Sequence, residues 1–171
     1  LLLVGAWVCW WLLTKYQVPF YLGMPITLVF MFLLGIAIQV VILRPMIGEP
    51  IISVIMVTIA LSTVFSALMK WMFGVNLQPF PRIFQSQNIN ILGLQVQTVY
   101  LMSLAVSVAM MIGMAWFFRL SKYGLAMRAT AFTQQVAQSL GSSVKSVFAM
   151  AWAISATVSA VAGVVVAVVN G

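Results

Sequence analysis

Lys122-Tyr123-Gly124-Leu125-Ala126-Met127-Arg128-Ala129-Thr130-Ala131, continuing through Gln135-Val136-Ala137 to Gly141, is a basic, soluble-looking stretch set between two long apolar runs. Everything around it reads as membrane. A chain that alternates long apolar runs with short charged stretches of this kind crosses a bilayer repeatedly and meets water between crossings. The stretch therefore marks where the membrane part meets a partner on the cytoplasmic side.

The composition agrees. Of the 171 residues, 64% are hydrophobic and 5% are charged, and the mean hydropathy is +1.18. A soluble domain carries about 25% charged residues, so this chain cannot build a water-facing surface. Membrane β-strands would alternate apolar and polar residues. Here the apolar runs are continuous, and crossing ~30 Å of hydrocarbon takes roughly 20 helical residues.

Eight Lys and Arg stand against the single acid Glu49, for a formal charge of +7. The basic residues sit mainly at the ends of apolar runs, where membrane topology and lipid headgroups account for them. No nucleic-acid partner is expected. Cys9 is the only cysteine and there is no histidine, so neither an intrachain disulfide nor a cysteine or histidine metal cluster can form. No glycine-rich phosphate loop ending in Gly-Lys-Ser/Thr is present. Without Asp or His, neither a paired-aspartate nor a Ser-His hydrolase can be assembled. The chain is not expected to be an enzyme. It opens inside an apolar run, without Met or a signal-peptide pattern, and is expected to be a fragment of a longer chain.

Five membrane segments are expected, at about 1–13, 19–43, 51–73, 98–118 and 147–169, forming a single transmembrane domain over 1–171. The turn at 44–50 and the loop at 119–146 then share a side and hold Arg44, Arg119, Lys122, Arg128 and Lys145. The other side holds Lys15 and Arg82, with Lys70 near it. The excess of positive charge assigns the first set to the cytoplasm. On the outer side, Pro79 and Pro81 break any helix. Polar and apolar residues alternate on both sides of Leu92-Gly93, which predicts a small outer β-hairpin over 88–97. The fold class expected is thus an all-α polytopic membrane protein with about five transmembrane helices, a cytoplasmic coupling-type helix and that hairpin.

Polar content within the spans is mild. Thr58, Ser62 and Ser66 recur every four residues and are candidates for lining a solute pathway; Ser103 and Ser107 do the same on the fourth span. The competing reading is that these hydroxyls bond to their own helix backbone. Gln39, shortly before Arg44, is placed at the cytoplasmic mouth. Ala151, Ser155, Ser159, Gly163 and Ala167 form a small-residue stripe, the kind that lets helices pack closely in lipid. Trp152 reads as an interfacial anchor. Between the fourth and fifth spans, a short helix is expected over 125–140, closed by Gly141. Ala126, Ala129, Ala137 and Leu140 give it a partly apolar face. Such a helix either rests on headgroups or inserts into a cleft of an ATPase.

Several motifs occur together along the chain: Leu43-Arg44-Pro45-Met46-Ile47-Gly48-Glu49-Pro50, Phe73-Gly74 with Pro79-Phe80-Pro81, Gly124-Leu125-Ala126-Met127-Arg128-Ala129, Gln135-Val136-Ala137 with Gly141, and Ala160-Val161-Ala162-Gly163-Val164. In this order, the chain resembles the LivH-type permease subunits of bacterial branched-chain amino acid ABC importers, a family that includes urea and short-amide permeases. The resemblance implies a multi-pass protein of the bacterial inner membrane that pairs with a second permease subunit, identical or homologous. It implies a periplasmic solute-binding protein and cytoplasmic ABC ATPase subunits as partners. No cofactor is implied for this chain itself; ATP is used by the partner. By the same match, Gln135, Ala137 and Gly141 lie in the ATPase-coupling loop, with Gly124 and Arg128 leading into it. Gln135 stands where the family usually has Glu, Thr133 where it has an acid, and Lys145 where an acid is common, so this loop is more basic than the family's. An ATP-independent transporter or channel, and a non-transporting scaffold, are the readings from other classes.

Overall fold

The computed structural model describes residues 1–74, 88–91, 94–132 and 143–170. Its helices are α1 (Leu2–Lys15), α2 (Phe20–Ile38), α3 (Ile51–Phe73), α4 (Thr98–Leu120), α5 (Lys122–Phe132) and α6 (Val144–Asn170). Beyond Ile38, α2 continues through a π-helical turn, Gln39–Leu43, and a 3-10 turn, Arg44–Met46. Two four-residue strands, β1 (Asn88–Ile91) and β2 (Leu94–Gln97), pair antiparallel with Asn88 opposite Gln97. β2 runs directly into α4.

Prolines and glycines set the helix limits. Pro19 and Pro50 hold the extended dihedrals from which α2 and α3 start. Gly48, at φ +105°, turns the chain between Arg44–Met46 and α3, and Gly74, at φ +78°, ends α3. Both conformations disfavour a residue with a Cβ.

Among the described residues, four helical stretches are long and apolar enough to cross a membrane: Phe20–Met46, Ile52–Phe73, Thr98–Leu120 and Val144–Val169. The fifth expected segment corresponds to the shorter apolar helix α1, whose 14 residues reach about 21 Å. The second span also extends three residues past its expected end, and the last starts three residues earlier.

The core lies where α1, α2 and α6 meet. Val4, Met31, Met69, Ala156 and Ala160 form one buried cluster, and Cys9 with Val164 forms a second. Backbones come close because small residues face each other. A Cβ on Gly5 would lie 2.5 Å from Ala160 Cα, and one on Gly163 would run into the Leu2 carbonyl. These contacts set α1 antiparallel to α6. Gly23, Thr27, Met31, Gly35 and Gln39 form a buried row along α2. At four-residue steps a helix face winds by about 40° per step. The row accordingly starts against α1, where Gly23 faces Leu13, and ends against α6, where Gly35 faces Ala153.

The other two long helices lie at the margin of this core. α3 is tied to α1 by the stacked rings of Trp7 and Phe73, 4.6 Å apart at 17°, and by the buried Met69. α4 buries none of its residues. Trp71 is 84% exposed and Trp116 69%; in lipid, such faces need no cover from the protein.

Candidate functional site

Two places concentrate features that packing alone does not explain. The first is the junction of α4, α5 and α6. Ser121 takes extended dihedrals after α4, and its Oγ accepts the Tyr123 N–H at 3.2 Å. It thereby caps one of the orphan N–H groups at the start of α5. Ser143 does the same for α6, accepting the Ser146 N–H at 3.3 Å.

Gly124 makes the fold-back possible. A Cβ there would sit 2.8 Å from both the Phe117 carbonyl oxygen and Phe118 Cα. α5 therefore lies against the end of α4 and also touches α6. Its inner side carries Gly124 and Thr130, both buried, and the Thr130 hydroxyl donates to the Ala126 carbonyl at 2.7 Å. Val144 and Val147 are buried at the facing start of α6. Lys122, Tyr123, Leu125 and Arg128 are exposed on the outer side. With one carboxylate in the whole chain, this basic surface is left to pair with something outside it. The helix begins at Lys122, three residues before its expected start. Gln135, Ala137 and Gly141 lie outside the described residues.

The second place is Gln39. Its side chain is 1% exposed, and its Nε2 has no hydrogen-bond partner among the described residues. Leaving such a donor unmade costs about 1–3 kcal/mol. The buried hydroxyls of Thr27 and Thr130 are satisfied by their own helices, at 2.8 and 2.7 Å. Gln39 also opens the π-helical turn, where the Arg44 N–H donates to the Gln39 carbonyl five residues back. Single π turns within helices occur frequently at functional sites. The sequence points to Gln39 only as a polar residue near Arg44, at the mouth; the structure encloses it.

Thr58 is half-buried, whereas Ser62 and Ser66 are exposed, and the inward side of α3 is carried by Leu61, Phe65 and Met69. The hydroxyls of Thr58 and Ser66 donate to the carbonyls of Ile55 and Ser62, both at 2.8 Å. Ser103 and Ser107 line an open cleft of about 520 Å³ between α4 and α6, with Tyr100 and Val166 among its walls. Their hydroxyls also bond within the helix, at 2.8 Å.

On α6, Gly163 is buried, Ala151 and Ser159 are half-buried and Ser155 is exposed. The buried row runs instead through Ala153, Ala156, Ala160, Gly163 and Val164. Mixed three- and four-residue steps hold one face, while uniform four-residue steps drift around the helix. The missed residues are Gly5 and Gly35, whose signal was a small residue opposite alanines on another span.

A family model described as the permease component of branched-chain amino acid transport systems matches residues 1–170. No curated protein and no solved structure matches the chain.

Proposed function

Because the chain belongs to the branched-chain amino acid transport permease family, we propose that it is the membrane subunit of an ABC importer for branched-chain or related amino acids. The observation that carries this reading is the match over residues 1–170, which takes in all four long apolar helices and the α4–α5–α6 junction. ATP hydrolysis is supplied by cytoplasmic ATPase subunits, and solute arrives from a periplasmic binding protein. The protein sits in the bacterial inner membrane beside a second permease subunit, with α1 as a fifth, shorter membrane segment.

In this reading the cytoplasmic side holds the Arg44 turn and the basic face of α5, and the β1–β2 pair lies outside. Gly124, Arg128, Gln135, Ala137 and Gly141 form the coupling element. Gly124 supports that role by locking α5 onto α4, so that a push on α5 is not absorbed by a loose loop. Thr58, Ser62 and Ser66 line the pathway. Since Ser62 and Ser66 are exposed in the single chain, their contribution belongs to the interface with the second subunit.

The test is uptake of radiolabelled leucine by proteoliposomes holding the full-length permease, its ATPase and its binding protein. ATP-dependent uptake is expected. Uptake that proceeds equally without ATP, or ATP-dependent uptake of urea and amides but not leucine, overturns the assignment.

A further inference from the structure

The chain buries three polar side chains among its described residues: Thr27, Gln39 and Thr130. The two threonine hydroxyls are spent on their own helix backbones. Among the described residues, Gln39 alone keeps a buried side-chain donor without a partner. Burying a donor unmade is costly, so such a group calls for a role.

Its position is specific. Gln39 follows Gly35 by one turn on the same face of α2, and Gly35 is the residue that meets the Trp152 carbonyl and Ala153 of α6. The π turn that Gln39 opens also touches α6. Gln39 lies five residues from Arg44, or about 7.5 Å along the helix, inside the span and not at its end. A widened helical turn, an orphaned amide and a seam between two helices built from small residues coincide at one point.

We infer that Gln39 is a solute-binding residue, whose amide N–H donates to a carboxylate or carbonyl oxygen of a small solute admitted between α2 and α6. The inference rests on the transport reading for the identity of the solute, and on the orphaned donor for the site. It explains why an amide is tolerated where leucine would pack without cost. With the seam closed the donor is unmade, and the arriving acceptor oxygen completes it. Binding sites built around such a donor discriminate strongly against ligands that lack the acceptor.

The experiment uses the full-length permease with its partner subunits in nanodiscs, as wild type and as Gln39→Leu. Equilibrium binding is measured for leucine, leucinamide and urea, together with thermal unfolding in the absence of solute. The expected result is that Gln39→Leu weakens binding by about tenfold or more, while its unfolding temperature equals or exceeds that of the wild type. Leucine and leucinamide tell a carboxylate from an amide carbonyl as the acceptor. Unchanged binding in Gln39→Leu overturns the site. So does a lowered unfolding temperature, which would mean that the amide holds the fold, and so does failure of the wild type to bind any of the three. ATP-independent leucine uptake, with binding lost in Gln39→Leu, overturns the importer reading and leaves the Gln39 site standing.

Discussion

Gly35 and Ala153 bring two long apolar helices together at backbone distance: a Cβ on Gly35 would lie 2.8 Å from Ala153 Cα and 2.7 Å from the Trp152 carbonyl oxygen. Nothing larger than hydrogen fits without moving α2 or α6. Since these two helices share the largest interface in the bundle, the position controls the spacing of the core and of the turn that carries Gln39.

Gly35→Val is therefore expected to destabilise the permease by about 1–3 kcal/mol through overpacking. Thermal unfolding in nanodiscs checks this. Gly113→Ala is the matched control, because a Cβ there meets nothing within 4 Å; in a helix interior that change should stabilise by about 0.5–1 kcal/mol. Equal shifts for the two variants would contradict the close approach.

Gly124→Leu should leave the protein inserted and assembled but lower ATP-driven uptake by about tenfold, in the usual range of coupling energies between sites. The added side chain collides with the Phe117 carbonyl and Phe118 and lifts α5 off α4. Uptake, measured beside co-purification of the ATPase, separates uncoupling from loss of assembly. Full uptake would mean that the fold-back plays no part in coupling.

Arg128→Glu changes an exposed residue, so fold stability should move by no more than about 0.5 kcal/mol. Binding of the ATPase should weaken, and its salt dependence should fall, since screened surface charges steer association. Titrating ATPase onto the permease at two ionic strengths reads both effects. An unchanged affinity would place the docking surface elsewhere.

Trp7 and Phe73 are stacked and form the main aromatic tie between α1 and α3. A double-mutant cycle with Trp7→Ala and Phe73→Ala should return a coupling energy of about 0.5–1.5 kcal/mol. Unfolding measurements on the four proteins provide it. Additive losses would show that the rings contribute only their separate burial.

The long apolar runs were legible because they depend on local chemistry, and Gly74 ends α3 as helix geometry requires. The arginines were poorer guides: the helices run on through Arg44 to Met46 and through Arg119 to Leu120. The family resemblance singled out Gly124 and Arg128, but the close approach at Gly124 lies in the backbone of Phe117 and Phe118 and could not be read from the sequence. Packing faces were less legible. Ser155 belongs to a four-residue row and is exposed, while Ala153 and Ala156 are buried, because which side of α6 meets α2 depends on where Gly35 sits on a different helix. Gln39 was recognisable as polar, but its enclosure depends on how the turn it opens meets α6, a helix more than a hundred residues away.

The place of α6 has a mechanical consequence. It touches α1, α2, α4 and α5, and its 27 residues make a rod about 40 Å long. One end meets α5 beside the basic surface, and the middle closes over Gly35. A torque applied to α6 where it meets α5 is therefore carried along one continuous helix into the seam beside Gln39.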